Sequence, residues 1–120
     1  MACSCQNCKD GGISMSIQTR KQRKSRYAAP LHQRQKFVHA PLSKTLAKSL
    51  NAKRLMVKKG DTVKVMVGDN KGKTGVVDSV NLKLEKVYVN GVERVKKDGN
   101  KVLIPINPSN VRITKTEERK

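Results

Sequence analysis

Between two runs of valine the chain reads VMVGDNKGKTGVV, residues 65 to 77, and Gly72-Lys73-Thr74 is how a nucleotide-binding phosphate loop ends. Such a loop is spaced G-x-x-x-x-G-K-[ST], with a strand before it and a helix after it. Here Gly68 stands four residues before Gly72 where the loop requires five, and its ring of backbone N–H groups depends on that length. The stretch Thr74 to Val80 is largely β-branched and has no helical stripe, so no helix N-terminus is aimed at a phosphate. A strand–loop–strand connection fits better. Gly68 and Asp69-Asn70 supply turn conformations, Gly72 takes a positive φ, and Lys71 and Lys73 stand outward. Paired lysines on an exposed loop suit a sugar–phosphate backbone, which accepts a point charge without bidentate geometry. Gly75 marks either a close backbone approach or a bulge.

A second constellation is Cys3, Cys5 and Cys8, spaced Cys-x-Cys-x-x-Cys. A closed zinc site takes four ligands, the three thiols fall one short, and His32 lies far off in a different context. Residues 1–14 therefore read as a disordered Cys-containing extension without a metal. No acid–base pair or nucleophile–base set accompanies these features. The chain is expected to be no enzyme and to need no cofactor.

Charge says more. The net charge is +18 on 120 residues, an excess that repels itself unless a polyanion neutralises it. Nucleic acid is the partner such a balance implies first. Three aromatic side chains, Tyr27, Phe37 and Tyr88, are too few for the stacking platforms of single-strand readers. Phosphates, sugars and shape are what this composition can grip. No stretch approaches the ~18 apolar residues of a membrane span, and the N-terminus lacks the order of a signal peptide. The expectation is a cytoplasmic chain with reduced cysteines and no membrane partner.

The charge is also unevenly placed. Residues 11–60 hold thirteen Lys and Arg and no Asp or Glu, whereas residues 61–120 hold thirteen basic and eight acidic side chains. Residues 15–53 thus read as a basic arm, broken by Pro30 and Pro41 and ordering on its partner. Fully extended, residues 15–42 reach about 90 Å at ~3.3 Å per residue. Within the arm, residues 43–50 form a short helix. Ser43 caps it, Leu42, Leu46 and Leu50 share a face, Asn51 suits the end, and Lys44 and Lys48 face outward.

From Arg54 the apolar period changes from helical to two. LMV (55–57), TVKVMV (62–67), TGVVDSVNL (74–82), KVYV (86–89), KVLIPI (101–106) and NVRIT (110–114) read as short strands. Lys59-Gly60-Asp61, Asn90-Gly91 and Asp98-Gly99 are the turns, and Pro105 confines its strand to an edge or an end. The fold class is mainly β, a small antiparallel barrel over residues 54–115, with residues 116–120 as a flexible tail.

KKGDTVKVMVGDNKGKTGVVDSVNLK (58–83) resembles a KOW motif, a module of SH3-like barrels found in ribosomal proteins and transcription elongation factors. RYAAPLHQRQKFVHAPLSKTL (26–46) is similar to the arm of the universal large-subunit ribosomal protein L-twenty-four family, in its archaeal and eukaryotic form. There an A-P-x-H-x-R element precedes a P-L-S-K helix start, matched here by Ala29 to Arg34 and Pro41 to Lys44. INPSNVRIT (106–114) resembles the closing I-x-P-S-x-V strand. The resemblance runs over about residues 20–115. Residues 1–14 match nothing in the family, and the tail after Lys115 is short beside eukaryotic members.

The resemblance implies a structural constituent of the large ribosomal subunit that binds large-subunit rRNA, contributes to assembly and lies near the peptide exit tunnel. Neighbouring ribosomal proteins, the nascent chain and exit-tunnel factors are the further partners it implies. The residues expected to meet RNA are Arg20, Lys21, Arg23, Lys24, Arg26, Tyr27, His32, Arg34, Lys36, Lys44 and Lys48 of the arm, with Lys71, Gly72 and Lys73 of the barrel. Tyr27 would stack on a base or sugar, or else pack on a helix. The alternative, a KOW module of an elongation factor, calls for an exposed apolar patch and a neighbouring domain.

Overall fold

In the computed structural model, which describes residues 16–117, the valines that alternate with polar residues become the core. Strands β1 (His39–Pro41), β2 (Arg54–Met56), β3 (Thr62–Val65), β4 (Thr74–Asn81), β5 (Lys86–Val89), β6 (Glu93–Val95), β7 (Lys101–Leu103) and β8 (Val111–Lys115) carry it. The central sheet is antiparallel in the order β5-β4-β3-β8. Two bridges extend it. Leu42 pairs with Ile113, joining the β1–β2 pair to β8, and Ile106 pairs with Val87, covering the β5 edge. The result is a small antiparallel barrel, as the strand pattern predicts, and of the SH3-like kind that the KOW resemblance implies. Val57, Val63, Val65, Val77, Val87, Val89, Val92, Val111 and Ile113 fill its interior almost without solvent contact.

Side chains of valine size make a thin core, so backbone fit matters. Gly75 pairs with Val63 on β3, and its other side meets the β5 turn. A Cβ there would lie 2.2 Å from the Asn90 carbonyl oxygen and 2.8 Å from Val89 Cγ1, so close approach is its reason. The bulge lies elsewhere on β4, where register slips between Val77 and Ser79. Gly72 is glycine for a different reason: its φ is +89°, with open space where a Cβ would point. Asp61, buried at the β3 turn, accepts the Lys58 N–H at 2.9 Å and the Glu117 N–H at 3.4 Å, tying the turn to the chain after β8.

The structure departs from the period-two reading in places. Strand β3 ends at Val65, so Val67, within the strand expected over residues 62–67, is exposed. Strand β6 is hidden by its composition, because Glu93, Arg94 and Val95 are all exposed. The larger difference is at residues 38–42. Val38, Ala40 and Leu42 belong to the core, and β1 hydrogen-bonds to β2, so this part of the stretch expected as arm is barrel.

What stands off the barrel is helix α1 (Thr19–Ala28), followed by a turn of helix α2 (Leu31–Arg34) and a 3-10 turn, Gln35–Phe37. The sequence pattern suggests extended chain over α1, since charge all round leaves no stripe. Arg, Lys and Gln are nonetheless good helix formers, and the helix stops at Ala29 (ψ 128°), held extended by Pro30. Helix α3 (Lys44–Ser49) forms as expected, the Ser43 Oγ accepting the Leu46 N–H and Asn51 adopting φ +49° after it. Leu46 packs on the core, but Leu50 is half exposed.

Arg34 ties α1 to the barrel. Its Nε donates to the Ala29 carbonyl (2.9 Å), Nη2 to that of Tyr27 (2.7 Å) and Nη1 to that of Lys83 in the β4–β5 turn (2.8 Å). One planar fork thus fixes the end of α1, the Ala29-Pro30 corner and a barrel turn together. Arg26 adds a second tie. It pairs with Glu85 through Nε (3.2 and 2.9 Å) and Nη2, and its guanidinium lies 5.5 Å from the Phe37 ring centre.

Gly75→Ala should lower unfolding free energy by roughly 1–3 kcal/mol through overpacking. Gly72→Ala, strained but uncrowded, should lose about 1–2 kcal/mol. Denaturant melts of both variants check this, and an unperturbed Gly75→Ala would contradict the close approach. Arg34→Gln should cost ~1–3 kcal/mol and speed amide exchange across residues 27–34, while core amides on β3 and β4 stay protected. Arg34→Lys, with a single nitrogen, should not restore the protection.

Candidate nucleic-acid interface

Loop 66–73, between β3 and β4, decides its own chemistry through its backbone. The N–H of Lys71 donates to the Gly68 carbonyl (3.0 Å), that of Gly72 to Val65 (2.8 Å) and that of Lys73 to Asn70 (3.2 Å). The donors that would have to cradle a nucleotide phosphate already face protein acceptors. A strand, β4, follows where a phosphate loop needs a helix. Gly68 and Gly72, with φ of +94° and +89°, make the turns, and Lys71 and Lys73 are exposed at the tip. The Lys73 ammonium donates to Asn70 Oδ1 at 2.9 Å, which holds it on the loop surface.

Helix α1 is cationic without interruption by acid. Arg20, Lys21, Arg23, Lys24 and Arg26 fall within ten residues, and none of the helix is buried. Neighbours three and four apart, such as Arg20 with Arg23 and Lys24, repel one another on a free helix. Arg26 is committed to Glu85, whose carboxylate raises the guanidinium pKa further through the hydrogen bond, so this cation stays charged at any accessible pH. It still presents 61% of its side chain to solvent. Arg34 is bound to three carbonyls. Its fork therefore works within the chain, which residue type alone did not reveal.

Tyr27 is 80% exposed, so packing on the helix does not describe it; its ring is open for stacking. His32 on α2 and Lys36 in the 3-10 turn are exposed, as are Lys44 and Lys48 on α3. The structure does not gather these residues into one patch. Arg26 and Arg34 dock α1 at the β4–β5 turn, whereas Lys71 to Lys73 precede the other end of β4. Eight strand residues at ~3.3 Å separate the two groups by about 26 Å. The cationic surface thus extends along the molecule.

Arg54, Lys64 and Arg112 were not among the expected contacts. All three lie on strands and alternate with core residues, so the period places them outward, but which strands are neighbours is not legible from spacing. The three cysteines fall outside the described residues, and among the described residues no cluster of His, Cys, Asp and Glu could hold a metal. An open trough of about 880 Å³ runs between loop 66–73, the β6–β7 hairpin and residues 104–110. Lys86, Arg94 and Lys96 face Asp69 and Glu93 around it, and neither His, Cys, Ser nor Thr lines it. Among the described residues no helix is long and apolar enough to cross a membrane.

Comparison with known proteins places this sequence in a family. The family described as ribosomal proteins L26 of eukaryotes and L24 of archaea matches residues 16–120. The large ribosomal subunit protein uL24 of Methanothrix thermoacetophila is 54% identical over 103 residues, which cover 86% of this chain and 89% of that protein. The uL24 of Methanosarcina barkeri is 53% identical over 103 residues with the same coverage. That of Pyrobaculum islandicum is 52% identical over 101 residues, 84% of this chain and 82% of its own. With the match running from just before α1 through β8, the chain belongs to the ribosomal protein family that comprises eukaryotic L26 and archaeal L24.

Proposed function

We propose that this chain is a structural constituent of the large ribosomal subunit in the cytoplasm, where it binds large-subunit rRNA through backbone phosphates. The observation that carries the reading is α1, which sets five cations in ten residues on a helix with no buried side chain. Such a helix gains little from the barrel and much from a polyanion, which removes its internal repulsion. Lys36, Lys44, Lys48, Lys71 and Lys73 supply further phosphate contacts, and Tyr27 and His32 contact base or sugar. Gly72 shapes the loop that presents the two lysines. Arg26 and Arg34 aim the arm, Arg26 with enough exposure to touch phosphate as well.

The role is architectural rather than catalytic. By spanning separate RNA segments, the arm and the barrel loop contribute to subunit assembly. The position is near the exit of the peptide tunnel, beside neighbouring large-subunit proteins and within reach of the nascent chain and exit-tunnel factors. The family membership supports the ribosomal setting, and the cationic surface supports the RNA contact.

Replacing Arg20, Lys21, Arg23 and Lys24 together by Gln in the full chain should flatten the salt dependence of rRNA binding. The log–log slope should fall by about 3, at ~0.7–0.9 for each phosphate no longer neutralised. Melting of the free protein should shift little, because these side chains touch no core. A binding constant insensitive to salt in the parent protein would refute the phosphate grip. In cell extract the protein should sediment with the large subunit; a free pool at the top of the gradient and nothing in the subunit peak would refute the assignment.

A further inference from the structure

Strand registers on the outer face of the barrel set three cations in one row. Lys64 on β3 is the direct cross-strand partner of Arg112 on β8. Strand β8 also lies parallel to the end of β1, bridged at Leu42 and Ile113, so one residue back along both strands Pro41 lies beside Arg112. Pro41 in turn pairs with Arg54 on β2, and Thr74 of β4 flanks Lys64 on the far side. Val63, Val65, Val111, Ile113 and Leu42 are buried, so alternation turns Lys64, Arg112 and Pro41 to the outer face. At ~4.8 Å per strand, Lys64 and Arg54 stand about 14 Å apart with Arg112 between them.

This row is an unfavourable arrangement for an isolated protein. Like charges directly opposite on antiparallel strands destabilise the pair. Among the described residues the ion pair is that of Arg26 and Glu85, at the β4–β5 turn, so no carboxylate bridges the row. Arg112 shows the same tension at one atom. Its Nε is buried and, among the described residues, has no hydrogen-bond partner. A buried guanidinium N–H without an acceptor demands an explanation.

We propose that Arg54, Lys64 and Arg112 form a phosphate track, a further contact with the RNA backbone separate from α1 and from loop 66–73. The proposal rests on the reading of the chain as an rRNA-binding protein and adds a face to it. Arg112 offers a planar fork to one phosphate, and Lys64 and Arg54 flank it as charges for its neighbours. Pro41 between them has no side-chain donor and no protruding charge, so a strand can lie flat across the row. A linear series of cations on a chain of net charge +18 fits a ligand with regularly repeated negative charge better than the scattered carboxylates of a protein surface.

The test compares full-length variants binding deproteinised large-subunit rRNA across a salt series. Arg54→Gln with Lys64→Gln, both exposed positions, should lower the log–log slope by about 1.5, and adding Arg112→Gln should bring the drop to ~2–3. The melting temperature of the free double variant should hold or rise, since repulsion is relieved; this keeps the result readable should Arg112→Gln itself fold poorly. Lys96→Gln with Lys97→Gln, at the β6–β7 turn, removes the same charge elsewhere and should leave the slope near the parent value. Equal drops in both doubles would reduce the effect to net charge and overturn the track. So would an unchanged slope in the Arg54/Lys64 double beside a steep parent, including the case where the double instead loses association with large-subunit proteins. A flat slope in the parent would overturn the rRNA-binding reading itself, and the track with it.

Discussion

Twenty-seven lysines and arginines against nine carboxylates leave +18 on 120 residues, and a fold with that excess must separate like charges or lend them to a counter-charge. The core that resists this repulsion is built mainly from valines, small side chains in a barrel of short strands. Each buries little area, so the margin per residue is small. Much of the architecture follows from that constraint. Cations go to the tip of loop 66–73, to a helix outside the core and to outward positions on the strands. Two of the carboxylates hold structural positions, Asp61 accepting backbone N–H groups at the β3 turn and Glu85 holding Arg26.

The arginines divide between two kinds of work for a reason of geometry. A guanidinium has five donors in one plane, so it can join three carbonyls from separate parts of the chain, as Arg34 joins those of Tyr27, Ala29 and Lys83. Lysine offers one nitrogen on a flexible stem and suits a loop tip, where Lys71 and Lys73 stand. Arginine can therefore fix the arm to the barrel, while lysine serves as an exposed point charge. In a chain whose basic segment carries no acid from residue 11 to 60, a tie made to backbone carbonyls has a further merit. It needs no carboxylate, and it leaves the positive field of the arm intact.

Those elements legible in the sequence are the ones whose cause is local. Ser43 caps α3 because its own hydroxyl meets an N–H three residues on; Gly72 turns because its own φ is positive; Val63 and Val65 point inward because alternation is a property of one strand. Where the cause lies in a partner segment, the pattern is silent. His39–Pro41 is three residues ending in proline, too short for a period to show, yet its pairing with β2 and its bridge to β8 make it barrel. Helix α1 has no apolar stripe because no face of it is buried, so the usual signal of an amphipathic helix is missing by construction. The internal duty of Arg34 is invisible for the same reason. Residue type announces a cation, and only the fold says which acceptor reaches it first.

The same division applies to the motif that looked like a nucleotide loop. Gly-Lys-Thr reports a glycine turn followed by a lysine and a hydroxyl, and both a phosphate cradle and a β-turn satisfy that description. What separates them is where the backbone N–H groups point. In a cradle, loop length and a following helix converge several N–H groups on one point outside the chain. With one residue fewer and a strand after it, the N–H groups of Lys71, Gly72 and Lys73 fold back onto Gly68, Val65 and Asn70. The side chains are then the groups left facing outward. A loop that would have enclosed a single phosphate with its backbone instead presents two ammonium groups on its outer surface. One residue fewer in the spacing thus closes the backbone to an enclosed anion and leaves a charged outer surface in its place.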